Sequence, residues 1–131
     1  DIKNELKEVC EKMKEYKEQH YFILAAISIS IAAANIKGNI TSEENQYIKE
    51  IVGGTTVNVW PATLNQQVND LFINKPNFNE AMIFVRKVSY KYWGIFEEII
   101  VALFEIDEDN MELKRAFKSA WDDEMKRGVD L

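Results

Sequence analysis

The stretch from Phe22 to Ile51, FILAAISISIAAANIKGNITSEENQYIKEI, decides the fold of this 131-residue chain. Residues 22–34 carry no charge and only two serines, which predicts a helix that is covered on every side. Gly38 then supplies the backbone freedom that ends a helix, and Thr41 with Glu44 has the pattern of a capping box that opens the next one. The stretch therefore predicts a helical hairpin whose first arm forms the core.

The composition suits a single all-α domain. Hydrophobic residues make up 47% of the chain, and there are only five glycines and two prolines, so turns are few and helices long. Residues 95–106 form a second dense apolar run. We therefore expect one domain over residues 1–131, a bundle of five to six helices around two apolar central helices.

Charge and cysteine usage limit the function classes. A net charge of -6 repels phosphate backbones and argues against a nucleic-acid partner. The single cysteine, Cys10, fits a reducing compartment, so we expect a cytoplasmic protein. The apolar run 22–34 is shorter than the roughly 20 residues of a membrane span, and we expect a buried helix with no transmembrane segment.

The amino-terminal segment leaves two arrangements open. Apolar residues recur at helical spacing over residues 1–20, which predicts an amphipathic helix, and no Gly or Pro interrupts residues 2–37. A break near Gln19 and His20 keeps the domain compact. Without a break, a helix about 50 Å long projects from the bundle (21–128), and its 2–16 face pairs with a second chain as a homodimer.

Further helices follow from local signals. Gly53 and Gly54 are expected to end the helix that Thr41 opens, and an extended loop follows. Cap patterns occur at Asn77 with Glu80 and at Asp109 with Glu112. The remaining predicted helices cover residues 42–52, 61–74, 78–92, 95–106 and 110–128.

The plan of an apolar helix, a turn and a capped helix occurs twice, at 22–52 and 95–127, which indicates a degenerate internal duplication. This plan, with Gly38, Ile40 and Glu44 in the first turn, resembles the TerB-like (tellurite-resistance) helical domains. The resemblance implies a sensing or scaffold module of a bacterial stress- or defence-related protein, with divalent metal at the acidic turn positions. Lys37 departs from the pattern, because it stands where the family has an acidic residue.

The second turn carries the candidate metal ligands Asp107, Asp109 and Glu112. Carboxylate oxygens are the ligands that Ca²⁺ and Mg²⁺ prefer, which predicts a weak site for either ion. Alternatively, these residues form an acidic first turn that the helix dipole favours. No other cofactor is expected.

A basic and aromatic cluster stands out in an acidic chain. At helical spacing Arg86, Lys87, Tyr90 and Lys91 gather on one helix face, where an acidic peptide, a lipid head group or a phosphate has room to dock. The alternative is an ordinary exposed face with Tyr92 and Trp93 in the core.

The pattern of residues favours interaction over catalysis. His20 is the only histidine and Cys10 the only cysteine, and neither belongs to a recognisable catalytic or zinc-binding pattern. We expect a non-enzymatic interaction or regulatory module with a protein partner. One alternative is a small acidic immunity protein or antitoxin that covers a basic toxin, and another is a helical dimerisation module.

Overall fold

The computed structural model describes residues 1–129 as an all-helical bundle, with no strand within that range. It contains seven α-helices and two short 3-10 helices, so the expected count of five to six is wrong. The α-helices are α1 (Ile2–Lys12), α2 (Tyr16–Ala34), α3 (Ser42–Thr55), α4 (Ala62–Asn74), α5 (Phe78–Val85), α6 (Trp93–Ile106) and α7 (Met111–Val129). The 3-10 helices are Asn35–Lys37 and Tyr90–Tyr92.

Helix α2 is the core, as its apolar sequence predicts. Every residue from 22 to 34 is buried, and the helix packs against α3, α4, α5 and α6. Phe22 stacks on Phe96 with 5.4 Å between ring centroids, which joins α2 to the second apolar helix. The segment Tyr16–Lys37 is long and apolar enough to cross a membrane, but 72% of its apolar window is buried inside the bundle. This burial fits the role of a core helix.

Helix α1 is docked on the bundle and does not project from it. Leu6 and Cys10 are fully buried, and α1 packs along α3. The helical segment breaks after Lys12, earlier than Gln19 and His20, and Met13 has extended backbone angles there. The Gln19 side chain donates a 2.8 Å hydrogen bond to the Cys10 carbonyl, which satisfies a backbone group that the end of a helix leaves unpaired.

Helix α3 runs through Gly53 and Gly54 to Thr55, so the prediction that these glycines end it is wrong. The reason is a close helix–helix approach. A Cβ atom on Gly54 would lie 2.6 Å from the carbonyl oxygen of Lys3. Glycine at this position thus lets α1 lie directly on α3.

Two of the three predicted caps are confirmed as capping boxes, at Thr41 with Glu44 and at Asn77 with Glu80. Helix α7 begins at Met111, after Asn110 with a φ of 60°, so its start falls one residue later than a cap at Asp109 predicts. Gly128 does not close it, since the helix reaches Val129.

The predicted helix over 78–92 is wrong in its second half. Helix α5 ends at Val85, and a turn and a 3-10 helix lead into α6. The indole of Trp93 donates a 3.0 Å hydrogen bond to the Val88 carbonyl. Burial of Trp93 and Val88 therefore folds the segment back, which overrides its helical pattern.

Candidate functional site

The turn after α2 and the turn after α6 lie side by side. The Lys37 ammonium is 2.7 Å from Glu44 Oε1 and 3.9 Å from Asp107 Oδ2. It also donates a 3.1 Å hydrogen bond to the Ala34 carbonyl. Only 9% of the Lys37 side chain and 2% of the Glu44 side chain are exposed, so this cation neutralises acidic groups from both turns inside the protein.

The candidate metal ligands of the second turn do not converge. Asp107 Oδ1 accepts a 2.9 Å hydrogen bond from the Asp109 backbone N–H, while Asp109 and Glu112 are exposed. Among residues 1–129 no group of three or more His, Cys, Asp and Glu side chains is arranged to hold a metal ion. Weak Ca²⁺ or Mg²⁺ binding at Asp107, Asp109 and Glu112 stays a prediction.

An open cleft of about 550 Å³ separates the two turns. Glu43 lines one wall, and Asp107, Glu108 and Asp109 line the other. Three of these four carboxylates are exposed, so the cleft carries a negative surface field that attracts cations and basic proteins.

Lys114 has a structural role that the sequence pattern did not reveal. The side chain is 4% exposed, and its ammonium donates hydrogen bonds to the Phe104 carbonyl at 3.3 Å and to the Asp107 carbonyl. Carbonyls at the end of a helix lack partners within it. Lys114 therefore fastens the start of α7 to the end of α6.

The residues of the predicted basic surface do not share one helix face, because α5 ends at Val85, before the first of them, Arg86. Arg86 forms an ion pair with the buried Glu124, which commits its guanidinium to the fold. The Lys87 ammonium lies 4.9 Å from the ring centroid of Tyr21 and that of Lys91 lies 5.1 Å from the ring of Tyr92.

Tyr90 is half-buried, 5.4 Å from the ring of Trp93, and it occupies the space that Gly128 leaves open. Of the four predicted partner-binding residues, Lys87 and Lys91 thus remain exposed with ammoniums free of any ion pair within residues 1–129.

An apolar groove of about 280 Å³ lies between α6 and α7. Val101, Phe104 and Met111 supply its apolar surface, and Val101 and Met111 are 38% and 48% exposed. Charged side chains surround this apolar surface: Glu105, Lys114, Arg115 and Lys118. The apolar run 95–106 predicts a buried helix and does not reveal that the Val101 side chain is exposed, so the groove could not be predicted from it.

Helix α7 is held firmly enough to keep the groove open. Phe117 packs edge-on against Phe78 and Phe104, with centroid distances of 5.0 Å and 5.4 Å. Trp121 is fully buried, and its indole donates a 3.1 Å hydrogen bond to Glu97. These contacts hold α7 against α5 and α6.

Cys10 is buried and His20 contacts a neighbouring helix. Burial, with a smaller contribution from Glu11, raises the pKa of the Cys10 thiol to about 12, so the reactive thiolate is suppressed. His20 Nε2 lies 2.6 Å from Gln67 Oε1, which links α2 to α4.

Glu5 and Glu98 meet where α1 approaches α6. A hydrogen bond with Glu5, then burial and the Glu5 charge, raise the pKa of Glu98 to about 6. The nearby Tyr47 hydroxyl has its pKa raised to about 12 by burial and by the charges of Glu98, Glu50 and Glu5.

No protein-family model, curated protein or solved structure matches the chain.

Proposed function

We propose that this protein is a non-catalytic interaction module that binds a protein partner in the groove between α6 and α7. The observation that carries the proposal is the exposed apolar surface of Val101, Phe104 and Met111 with charged side chains around it. Protein-binding surfaces combine a desolvated apolar centre with a polar rim.

The rigidity of the groove supports the same role. Helix α7 is pinned by Phe117, Trp121 and Lys114, so a partner meets a surface that is already formed. Preformed surfaces lose less conformational entropy on binding. An apolar segment of a partner is expected to occupy the groove and its polar groups to meet the rim.

The TerB-like resemblance adds the proposal of a sensing or scaffold role in a bacterial stress- or defence-related protein. The adjacency of the two turns, with Lys37 3.9 Å from Asp107, fits two hairpins of one plan. Lys37 supplies a positive charge where the resemblance expects a metal ligand, which favours a structural role for this junction.

The acidic cleft beside Glu43 and Asp107 favours a second candidate, an immunity protein or antitoxin with a basic partner. Opposite charges accelerate association, and added salt removes that gain. This candidate predicts binding that weakens steeply with salt, whereas docking in the apolar groove is expected to depend on salt weakly.

Affinity capture from the source lysate, with bound proteins identified by mass spectrometry, tests the proposal. V101E/M111E places carboxylates on the groove floor, and V59E is the matched control because Val59 is 96% exposed in a distant loop. We expect V101E/M111E to lose a partner that wild type, V59E and the basic-surface variant K87E/K91E retain. Equal capture by all four proteins would rule out the groove.

A further inference from the structure

Two opposite charges line the groove without pairing with each other. Glu105 on α6 and Arg115 on α7 are both exposed lining residues, and neither forms an ion pair within residues 1–129. Lys118 is different, because it lies 2.8 Å from Asp122 and 3.7 Å from Glu97. Glu105 and Arg115 are thus the charges available to another molecule.

The helix pair distributes these charges in an ordered way. On α6 the residues Glu98, Val101 and Glu105 follow at spacings of three and four, and so share one face. On α7 the residues Met111 and Arg115 are four apart and also share a face. Within the groove, the acidic Glu105 therefore lies on the α6 side and the basic Arg115 on the α7 side, with the apolar surface between them.

We propose that a second copy of this chain occupies the groove, so that the module forms a symmetric dimer. A two-fold axis along the groove brings α6 of one copy over α7 of the other. Each Glu105 then faces the Arg115 of the partner copy, and the apolar groove floors meet between them. A surface that carries both charges about an apolar centre is self-complementary, as an isologous interface requires.

This inference rests on the proposed function and names its partner. It also differs from the homodimer that the sequence predicts through residues 2–16. The apolar residues Leu6 and Cys10 of α1 are fully buried within their own chain, so that face is not available to a second copy. The groove between α6 and α7, by contrast, has the exposed apolar side chains Val101 and Met111 together with Glu105 and Arg115.

The size of the helix pair determines how strongly we expect the two copies to associate. Helix α6 has 14 residues, which gives a face of about 21 Å at 1.5 Å per residue. A contact limited to one such helix pair is small, and small interfaces are typical of weak complexes. We therefore expect a weak dimer in fast exchange with the monomer.

Sedimentation equilibrium of the purified chain, from about 5 µM to about 500 µM, tests the proposal through charge reversals. E105R places two arginines opposite each other across the interface, and R115E places two glutamates there. We expect each single variant to raise the dimer dissociation constant at least about tenfold, and E105R/R115E to recover most of the wild-type association. E8R and K49E make the same charge changes at exposed sites on α1 and α3 and are expected to dimerise like wild type.

A wild-type chain that stays monomeric throughout this range overturns the proposal, as does a double variant that associates no better than the single ones. Melting temperatures at the lowest concentration, where all variants are monomers, are expected to be equal and so exclude unfolding as the cause. If the chain is monomeric but V101E/M111E still abolishes capture of another protein, the dimer is wrong and the groove remains a binding site. If neither dimerisation nor the capture of another protein depends on the groove, both proposals fail.

Discussion

The Lys37 ammonium lies 2.7 Å from the Glu44 carboxylate, and the same carboxylate oxygen accepts a 2.8 Å hydrogen bond from the Thr41 backbone N–H. Glu44 thus completes a helix cap and neutralises a buried cation with one oxygen. Removing it leaves the Thr41 backbone N–H without its acceptor, and it leaves the Lys37 ammonium with only the Ala34 carbonyl at 3.1 Å and the Asp107 carboxylate at 3.9 Å. Breaking a buried ion pair costs more than the net gain from an exposed one.

We expect E44A to lower the free energy of unfolding by about 3 kcal/mol, from the lost side-chain half of the capping box and from the buried ammonium that loses its nearest carboxylate. E43A is the matched control, since Glu43 is exposed on the same helix turn, and it should cost less than about 0.5 kcal/mol. Urea unfolding of both variants makes the comparison. Equal losses would show that the Lys37 contact contributes little.

The close approach of α1 and α3 gives a second prediction. In G54A the new Cβ meets the Lys3 carbonyl oxygen at 2.6 Å, so α1 must shift, at a cost of about 1 to 3 kcal/mol. In G53A the Cβ meets only the flexible end of the Lys3 side chain, at 3.3 Å, and the better helix propensity should stabilise by up to about 1 kcal/mol. Thermal unfolding followed by circular dichroism measures the stability of both variants. If α1 projected from the bundle, neither new Cβ would meet Lys3, and both variants would be more stable than wild type.

Arg86 is expected to stabilise the fold. Its partner Glu124 is 6% exposed, so R86A leaves a buried carboxylate with only Arg127, 3.6 Å away, as a cation. We expect R86A to cost about 2 kcal/mol, and K87A, whose ammonium only lies over a ring, to cost less than about 0.5 kcal/mol. Chemical denaturation of the two variants checks this, and a K87A loss as large as that of R86A would contradict it.

The contact between Glu5 and Glu98 predicts a pH-dependent contribution to stability. The pKa of Glu98 is raised to about 6, first by its hydrogen bond with Glu5, above a value of about 4.3 for an unperturbed glutamate. The stabilisation is complete below the unfolded-state pKa and is lost as the pH rises through 6. The effect stays below about 1 kcal/mol because Glu98 is exposed to solvent.

Unfolding of wild type and E98Q between pH 4 and pH 8 isolates this contribution, because the other carboxyl groups cancel in the comparison. We expect the stability of E98Q relative to wild type to rise as the pH increases through about 6. A difference that does not change with pH would show that the two carboxyl groups do not share a proton.

Local signals in the sequence were read correctly where the structure is decided locally. The uncharged run 22–34 forms the core helix, and the side chains of Thr41 and Asn77 cap the helices that follow them. Each of these features depends on residues that are close together in the chain, so the sequence alone is enough to predict it.

Features decided by distant contacts were missed. Gly53 and Gly54 look like a helix end, but Gly54 is where Lys3 touches α3. The segment after Val85 has a helical pattern, but burial of Trp93 folds it back.

The candidate site could not be read from the sequence for the same reason. The groove exists because Lys114 and Phe117 dock α7 beside Phe104, and the apolar pattern of α6 alone does not separate the exposed Val101 from its buried neighbours. The basic cluster was visible in the sequence. The ion pair between Arg86 and Glu124 was not, because it joins positions 38 residues apart in the chain.

Hydrogen–deuterium exchange of the protein with and without its captured partner locates the binding surface. We expect slower exchange on binding at backbone amides of α6 near Val101 and Phe104 and of α7 near Met111 and Arg115, with α1 and α4 unchanged. Protection confined to the acidic cleft, to Lys87 and Lys91, or to α1 would contradict the assignment of the groove as the binding site.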